Sequence, residues 1–476
     1  MTKTVTTELG PMKPFPFQEA DISSLVKANG TGLITAGTGA GKTIVAVEMI
    51  RRLETEVNLI VAPQGTHRRA WGRTLRRQGL TEPRRLDGTK KGKAAFADLQ
   101  WGVKGNYITT PQWFSRQNWS KIHPDQVVID EIHMLAHYGN AGQRKLHQLV
   151  ADRRLAMSGT PFRNKFENAW AVCKWVHPKS IDQTYWSWRI SKCETVFDRF
   201  APQNRRVIGE KVPGALVNSL PCYIHHSQRG NCCSFHPDGF LAGLEAPEEI
   251  VVDLEMTPAQ ARFYREMENG YVSWLKTPDE NGKIPVVAEL PIVARGMLRF
   301  CALGEVSFNE ETEKLYFAED ARSPKIDQLF TDIEEMDGGA VLVLTHSQQF
   351  ANLVVERLHA AGVSAFEWSG KYSQKKRDEA LEFFIAGELQ VIIAVISAIG
   401  TGSDGLQEAT NNVIWLSIDE DGTNTEQAKG RLDRLGQKHR VVSVEYRMIG
   451  TMDEGVMSKQ LRERLILNAS LRKETT

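Results

Sequence analysis

No apolar run in this chain approaches the roughly 20 residues that a membrane-spanning helix needs, so a helical membrane protein is excluded. The first residues, MTKTVTTELGPMKPFPF, lack the apolar core of a secretory signal. The expected location is therefore the cytoplasm of a bacterial or phage-infected cell, or the nucleus if the source is eukaryotic. Six cysteines in 476 residues are too few for a disulfide framework, which fits a reducing compartment. Short-period repeats and low-complexity tracts are missing, so neither a solenoid nor a compositionally biased tail is expected. A large excess of either charge is missing too. The net charge is +1, so any polyanion must be met by a local patch.

What is present is ordinary globular material, 41% hydrophobic and 25% charged, long enough for two or three structural units. Two stretches alternate short apolar runs with amphipathic segments. GLIT, VNLIVA, YITT, QVVID and RLAMS read as buried strands in the first. AVLVLT, VSAFEW, VIIAV, VIWLS and VVSVEY do so in the second, with SQKKRDEALEFF as a helix between them. Continuous apolar strands separated by helices predict parallel sheets covered on both faces. The fold class expected is α/β: two lobes with parallel sheets, plus helical insertions between them. The boundaries read as 1–165 for the first lobe, 166–250 for a helical protrusion and hinge, 251–322 for a helical insertion, and 323–476 for the second lobe.

The strand ending at Thr35 runs into AGTGAGKT and then into a helix. This is the phosphate-loop pattern, with Ala36 where the common form has glycine. Gly37, Thr38, Gly39, Ala40 and Gly41 form a turn whose backbone N–H groups cradle phosphate oxygens at a helix N-terminus. Lys42 reaches the β- and γ-phosphates, and the Thr43 hydroxyl suits Mg²⁺. A glycine-rich turn without a ligand is the plainer alternative. The agreement of residue types with strand–loop–helix context argues against it.

QVVIDEIH supplies the partner site. Asp130 and Glu131 fall at the C-terminal edge of a buried strand, where open α/β sheets bind ligands. Asp130 suits Mg²⁺, and Glu131 suits the polarisation of an attacking water. Two acids capping a strand would explain the pair equally well, were they not some ninety residues beyond a phosphate loop. ATP and Mg²⁺ are the expected cofactors.

DEIH, followed by SGTP at Ser158 to Pro161, resembles the superfamily 2 helicase-type ATPases. QAKGRLDRLGQKHRV is similar to the last motif of that superfamily, and its RLDRLGQ portion resembles SWI/SNF-type translocases. VVDLEMTPAQARFYREM, SPKIDQLF and GTMDEGV agree with that subfamily in order. The resemblance implies two RecA-like lobes. It implies that Gln18 reads adenine, and that Gln427, Arg431 and Arg434 face the nucleotide from the second lobe, the arginines as fingers on the γ-phosphate. It implies a coupling role for Ser158 and Thr160 and for Gly402 and Asp404 in AIGTGSDGLQ. Three departures stand out. The Gly400–Gln407 segment is longer than usual, DGTN replaces Trp-Asn-Pro, and the arginine pair and lysine that normally follow the first lobe are absent from CYIHHSQRGNCC apart from Arg229.

Between Arg68 and Lys93 lie ten Lys or Arg residues against Glu82 and Asp87. PQGTHRRAWGRTLRRQ reads as a loop and a helix that presents Arg69, Arg73 and Arg76 or Arg77 on one face, with Arg68 beside them. Trp71 matches the subfamily here. The resemblance implies that this part, with Thr109 and Thr110 of YITTPQW, follows a phosphate backbone, which gives affinity without sequence reading. Lys371 is the second lobe's counterpart in this reading. The expected partner is nucleic acid, foremost double-stranded DNA.

Cys222, His225, His226, Cys232, Cys233 and His236 crowd into fifteen residues. Their spacing is shorter than in common zinc fingers and two ligands are surplus, so a hinge loop without zinc is the favoured reading. The expected activity is an ATP-dependent duplex DNA translocase that remodels DNA structures or protein–DNA complexes. The alternatives are a strand-separating DNA or RNA helicase, with a wedge hidden among Trp170, Trp175, Trp186 and Trp188, and a non-motor binding module with a vestigial ATP site. Lys42, Asp130, Glu131, Arg431 and Arg434 together argue against the last.

Overall fold

The computed structural model describes residues 10–454 apart from 38, 137–138, 163–165, 180, 182–183, 198–204, 230–233, 235–237, 271, 277–282, 289–290, 337, 400–404 and 420–421. The chain divides into two compact units, one of residues 1–243 with 463–476 and one of residues 244–462.

The first unit is built on β1 (Gly32–Ala36), β2 (Val57–Val61), β3 (Arg84–Leu86), β4 (Gly105–Thr109), β5 (Gln126–Asp130) and β6 (Arg153–Ser158). A hairpin, β7 (Cys193–Phe197) and β8 (Arg205–Glu210), and a late strand, β9 (Tyr223–His226), follow. The sheet is parallel throughout, in the order β3-β4-β2-β5-β6-β1-β9. Its strands are apolar at successive positions because both faces are covered. Leu33, Leu59, Val127, Ile129 and Ala156 pack on one side. Ile34, Ile60, Val128, Leu155 and Met157 pack on the other. Each leucine, isoleucine, valine or methionine among them contributes roughly 1.5–3 kcal/mol on burial.

Three helices position the site. Helix α1 (Pro16–Lys27) opens on proline, and the Phe15 backbone N–H is met by Gln18 Oε1 at 2.9 Å. Helix α2 (Lys42–Leu53) begins at Gly41, whose φ of 76° is left-handed and suits only glycine comfortably. Helix α3 (Arg73–Arg77) is preceded by a π-helical turn over His67–Gly72, a departure from the single helix expected there.

The second unit holds β10 (Glu248–Leu254), the hairpins β11 (Val272–Lys276)–β12 (Lys283–Val287) and β13 (Ser307–Asn309)–β14 (Lys314–Tyr316), then β15 (Val341–Thr345), β16 (Ala365–Trp368), β17 (Val391–Val395), β18 (Asn412–Trp415) and β19 (Val442–Met448). Its sheet is also parallel, ordered β10-β19-β18-β15-β17-β16. Helices over Pro324–Glu335, Gln348–Ala360 and Gln374–Ile385 start at Ser323, Ser347 and Ser373, each of whose hydroxyls accepts a first-turn N–H. Lys325, fully buried, donates to Leu416 O at 2.7 Å and pairs with Asp453 at 2.8 Å, tying SPKIDQLF to GTMDEGV.

Every strand expected in the two alternating stretches is present. The middle of the chain carries helices over Glu167–Val176, Tyr185–Lys192, Ala215–Asn218, Pro258–Gly270 and Pro291–Cys301. Three hairpins accompany them, with β9 and β10, which complete the two main sheets. Of the four tryptophans considered for a wedge, Trp170, Trp175 and Trp188 are buried and Trp186 is exposed.

Candidate nucleotide site

Register brings the first unit's chemistry together. Strand β6 lies between β5 and β1, with Asp130 opposite Met157 and Ser158 opposite Thr35. The phosphate loop, the DEIH carboxylates and SGTP therefore leave the sheet side by side at one edge. Gly159 is so near the loop that a Cβ there would come within 3.3 Å of Ala36 O.

The loop is tightly lined. Lys42 Nζ donates to Ala36 O at 2.8 Å and Gly37 O at 3.3 Å, so its ammonium occupies the turn's acceptors. Gln18 Nε2 donates to Ala40 O at 3.0 Å. A side chain at Gly41 would collide with that amide at 2.3 Å, and one at Gly37 would meet Gln228 at 2.7 Å. Thr43 is half-buried at the start of α2. Thr38 lies outside the described residues.

Asp130 is buried and accepts a hydrogen bond from Trp71 Nε1 at 3.2 Å. Burial, and then the charge of Glu131, push its carboxyl up to about 6 against the pull of Lys42. Glu131 has φ 53° and ψ 53°, a left-handed conformation that costs a non-glycine residue roughly 1–3 kcal/mol. Burial works upward on its carboxyl as well. The hydrogen bond and electrostatic pull of His133, with Lys42 and the Ser158 hydroxyl, outweigh burial and hold Glu131 below the ordinary carboxylate range. The Ser158 hydroxyl donates to Glu131 Oε2 at 2.8 Å. His133 Nδ1 lies 2.9 Å from Ser158 Oγ and 3.2 Å from Glu131 Oε2, and Thr160 N–H donates to Ser158 Oγ at 3.0 Å. Ser158 thus joins two sequence motifs through one hydroxyl. The Thr160 hydroxyl is buried with no hydrogen-bond partner among the described residues, a donor ready for one.

These groups fit a magnesium nucleotide. A hydroxyl and a carboxylate are hard oxygen ligands of the kind Mg²⁺ takes. Two neighbouring carboxylates with one driven toward protonation are an arrangement that a divalent cation relieves.

Of the residues matched to the second lobe, Gln427 is half-buried on the helix Gly422–Lys429. Arg431 is buried and Arg434 half-buried in the turns that follow. Gly402 and Asp404 lie outside the described residues.

The basic segment is partly as expected. Arg73 and Arg76 are exposed, though Arg76 pairs with Glu82 at 3.1 Å, and Arg77 donates to Gly10 O at 2.9 Å. The side chains of Arg68 and Arg69 lie outside the described residues. Thr109 is corrected: it is fully buried and its hydroxyl donates to Leu86 O at 3.0 Å, so the strand spends it internally. Thr110 is half-buried and caps the turn Pro111–Phe114, accepting from Trp113 N at 3.1 Å. Lys371 is exposed, 3.7 Å from buried Glu367, with its ammonium 5.5 Å from the centre of the Tyr372 ring.

Two histidines of the Cys/His cluster are engaged elsewhere. His225 Nδ1 lies 2.8 Å from Thr35 Oγ1, and His226 Nε2 lies 2.7 Å from Asp21 Oδ2. Cys222 is buried, while Cys232, Cys233 and His236 lie outside the described residues.

Sequence reasoning did not find the Trp71–Asp130 bond, the Ser158–His133–Glu131 triangle or the Asp21–His226 pair. Trp71 and His133 lay within quoted motifs, but nothing in spacing says that an indole reaches a carboxylate 59 residues away.

The class follows from a parallel sheet whose edge gathers a phosphate loop, a DEIH pair and a serine linking them, in a chain that also holds a second parallel α/β unit. Comparison with known families agrees. The SNF2-related domain matches residues 22–194, and the helicase conserved C-terminal domain matches residues 324–436. The chain belongs to the SWI/SNF-type ATPases of helicase superfamily 2. It is 21% identical to Protein CHROMATIN REMODELING 24 of Arabidopsis thaliana over 90% of its own length and 43% of that protein. It is 20% identical to Transcription regulatory protein SNF2 of Saccharomyces cerevisiae over 92% of its length and 26% of that protein. The chain thus spans less than half of these relatives. Among solved structures, the Sulfolobus solfataricus SWI2/SNF2 ATPase core in complex with dsDNA is 17% identical, covers 97% of this chain and 96% of that one, and superposes with a TM-score of 0.40. Among the described residues no helix is long and apolar enough to cross a membrane.

Proposed function

We propose that this chain is a nucleic-acid-stimulated ATPase that moves along duplex DNA, remodelling DNA structures or protein–DNA complexes. The observation that carries the ATPase part is the convergence of Lys42, Asp130, Glu131 and Ser158 at one sheet edge. Gln18 orients the base; Gly37, Gly39 and Gly41 hold the phosphates; Thr43 and Asp130 hold Mg²⁺. When bound, Mg²⁺ neutralises charge on the phosphates. Glu131 orients and polarises water, its carboxylate kept ionised by His133 and Ser158. Arg431 and Arg434 supply positive charge to the transferred phosphoryl group.

Support for the track comes from the exposed Arg73 and Arg76 of α3 and from Lys371, which suit phosphate contacts that read no sequence. The Trp71 indole connects that basic segment directly to Asp130, so a pull on the segment reaches a metal ligand.

The test compares ATPase rates with duplex DNA, single-stranded DNA, branched DNA and RNA over a salt series. Duplex DNA should stimulate most, and the stimulation should fall as salt rises. Stronger stimulation by single strands, with strand displacement, would instead establish a helicase.

A further inference from the structure

We propose that His226 is a positioning residue for the nucleotide base: it clamps α1, and with it Gln18, to the strand beside the phosphate loop. The proposal rests on the reading of Gln18 as the adenine contact and names what holds that contact in place.

Gln18 and Asp21 are one helical turn apart on α1 and so share a face. Asp21 accepts a 2.7 Å hydrogen bond from His226 Nε2, with side-chain exposures of 11% and 5%. The Phe17 ring meets the His226 ring edge-to-face at 5.2 Å. His226 is the last residue of β9 and pairs with Ala36, the residue whose carbonyl receives Lys42. One imidazole therefore touches the residues on both sides of Gln18 and stands in register with the root of the phosphate loop.

A second ion pair on α1 joins Glu19 to Arg52 of α2, at 2.6 Å with exposures of 47% and 29%. An exposed pair is screened by water and holds geometry weakly. The Asp21–His226 bond is dry, so breaking it leaves a buried carboxylate alone. Burial already raises the Asp21 carboxyl, and the imidazole opposes that rise. The amide of Gln18 donates to Ala40 O, so a shift of α1 moves the proposed base contact directly and reaches the phosphate loop through that hydrogen bond. The sequence departs from its family at this place, with HHSQR where an arginine pair and lysine are usual.

The experiment measures calorimetric affinity of the full chain for ATP and for inorganic tripolyphosphate, together with kcat and KM. The variants are His226→Ala, His226→Gln, Gln18→Ala and His226→Ala/Gln18→Ala. For His226→Ala the expected result is about tenfold weaker ATP binding, the equivalent of roughly 1.4 kcal/mol. Tripolyphosphate affinity should stay within about twofold, and kcat should fall less than about threefold, a loss in KM rather than kcat. His226→Gln, which can still donate to Asp21, should recover most of the ATP affinity. Adding His226→Ala to Gln18→Ala should cost nothing more. Unaltered ATP binding in His226→Ala, or equal loss of ATP and tripolyphosphate, overturns the proposal. If Gln18→Ala itself binds ATP normally, the adenine reading falls first. Should His226→Ala not fold, Asp21→Asn, which keeps the side-chain shape, carries the same comparison.

Discussion

Replacing Ser158 by alanine tests how the two motifs of the first unit are joined. The hydroxyl is fully buried, donates to Glu131 Oε2 at 2.8 Å, accepts from Thr160 N–H and lies 2.9 Å from His133 Nδ1. A hydrogen bond to a charged group contributes roughly 1.5–3 kcal/mol, and each buried donor left without a partner costs about 1–3 kcal/mol. His133 retains Glu131 Oε2 at 3.2 Å, so the stability loss falls near the lower end of that range. The effect on turnover is larger. Glu131 would keep one donor instead of two, its carboxyl would rise, and its held orientation would loosen. If half to all of the bond is felt in the transition state, kcat falls about 10- to 100-fold. The sign on pH follows. Glu131 is held below the ordinary range by these bonds, so it stays ionised well into acid; removing one moves the acidic limb of the kcat profile to higher pH. Steady-state ATPase from about pH 4 to 8 at saturating Mg²⁺, which suppresses proton competition at Asp130, with ATP affinity measured alongside, reads both effects. A Ser158→Ala chain with kcat within about twofold and an unmoved acidic limb would refute the water-orienting role of Glu131 as described.

Trp71→Phe removes the 3.2 Å bond to Asp130 together with the pyrrole part of a fully buried indole, so the Mg²⁺ concentration for half-maximal ATPase should rise about three- to tenfold while saturating Mg²⁺ restores most of the rate. Because burial and Glu131 raise Asp130 to about 6, protons compete with the metal below that pH. At fixed low Mg²⁺, activity should fall by about tenfold per unit of acidification there, and added Mg²⁺ should shift the fall to lower pH. Arg434→Ala should leave ATP affinity within about threefold and cut kcat by about 10³-fold or more, as a lost finger does; normal turnover would remove that assignment.

Much of the fold was legible because both sheets are parallel and buried on two faces. VVI, VLVL and VIIAV are uninterrupted apolar runs, and only buried strands explain them at that length. The phosphate loop and DEIH were legible because their chemistry is local. The hairpins of the middle region were not, since runs such as CETVF and KLY are short and carry no clean alternation. Strand β9 was hidden for another reason: YIHH places two histidines in a sheet, each satisfied by a partner about 190–205 residues away. Thr109 misled because motif position marks a residue as near the track without saying which way its side chain points.

The phosphate-loop strand β1 is an interior strand only because β9 lies against it, and the two are separated by nearly two hundred residues. During synthesis β1 emerges long before its neighbour, carrying an open apolar edge that other chains can extend. A nascent chain that stops short of residue 223 has every phosphate-binding glycine yet no complete lobe to hold them. Truncations drawn just after SGTP should therefore aggregate instead of yielding a small nucleotide-binding fragment, and the useful N-terminal piece begins at lengths that include His226.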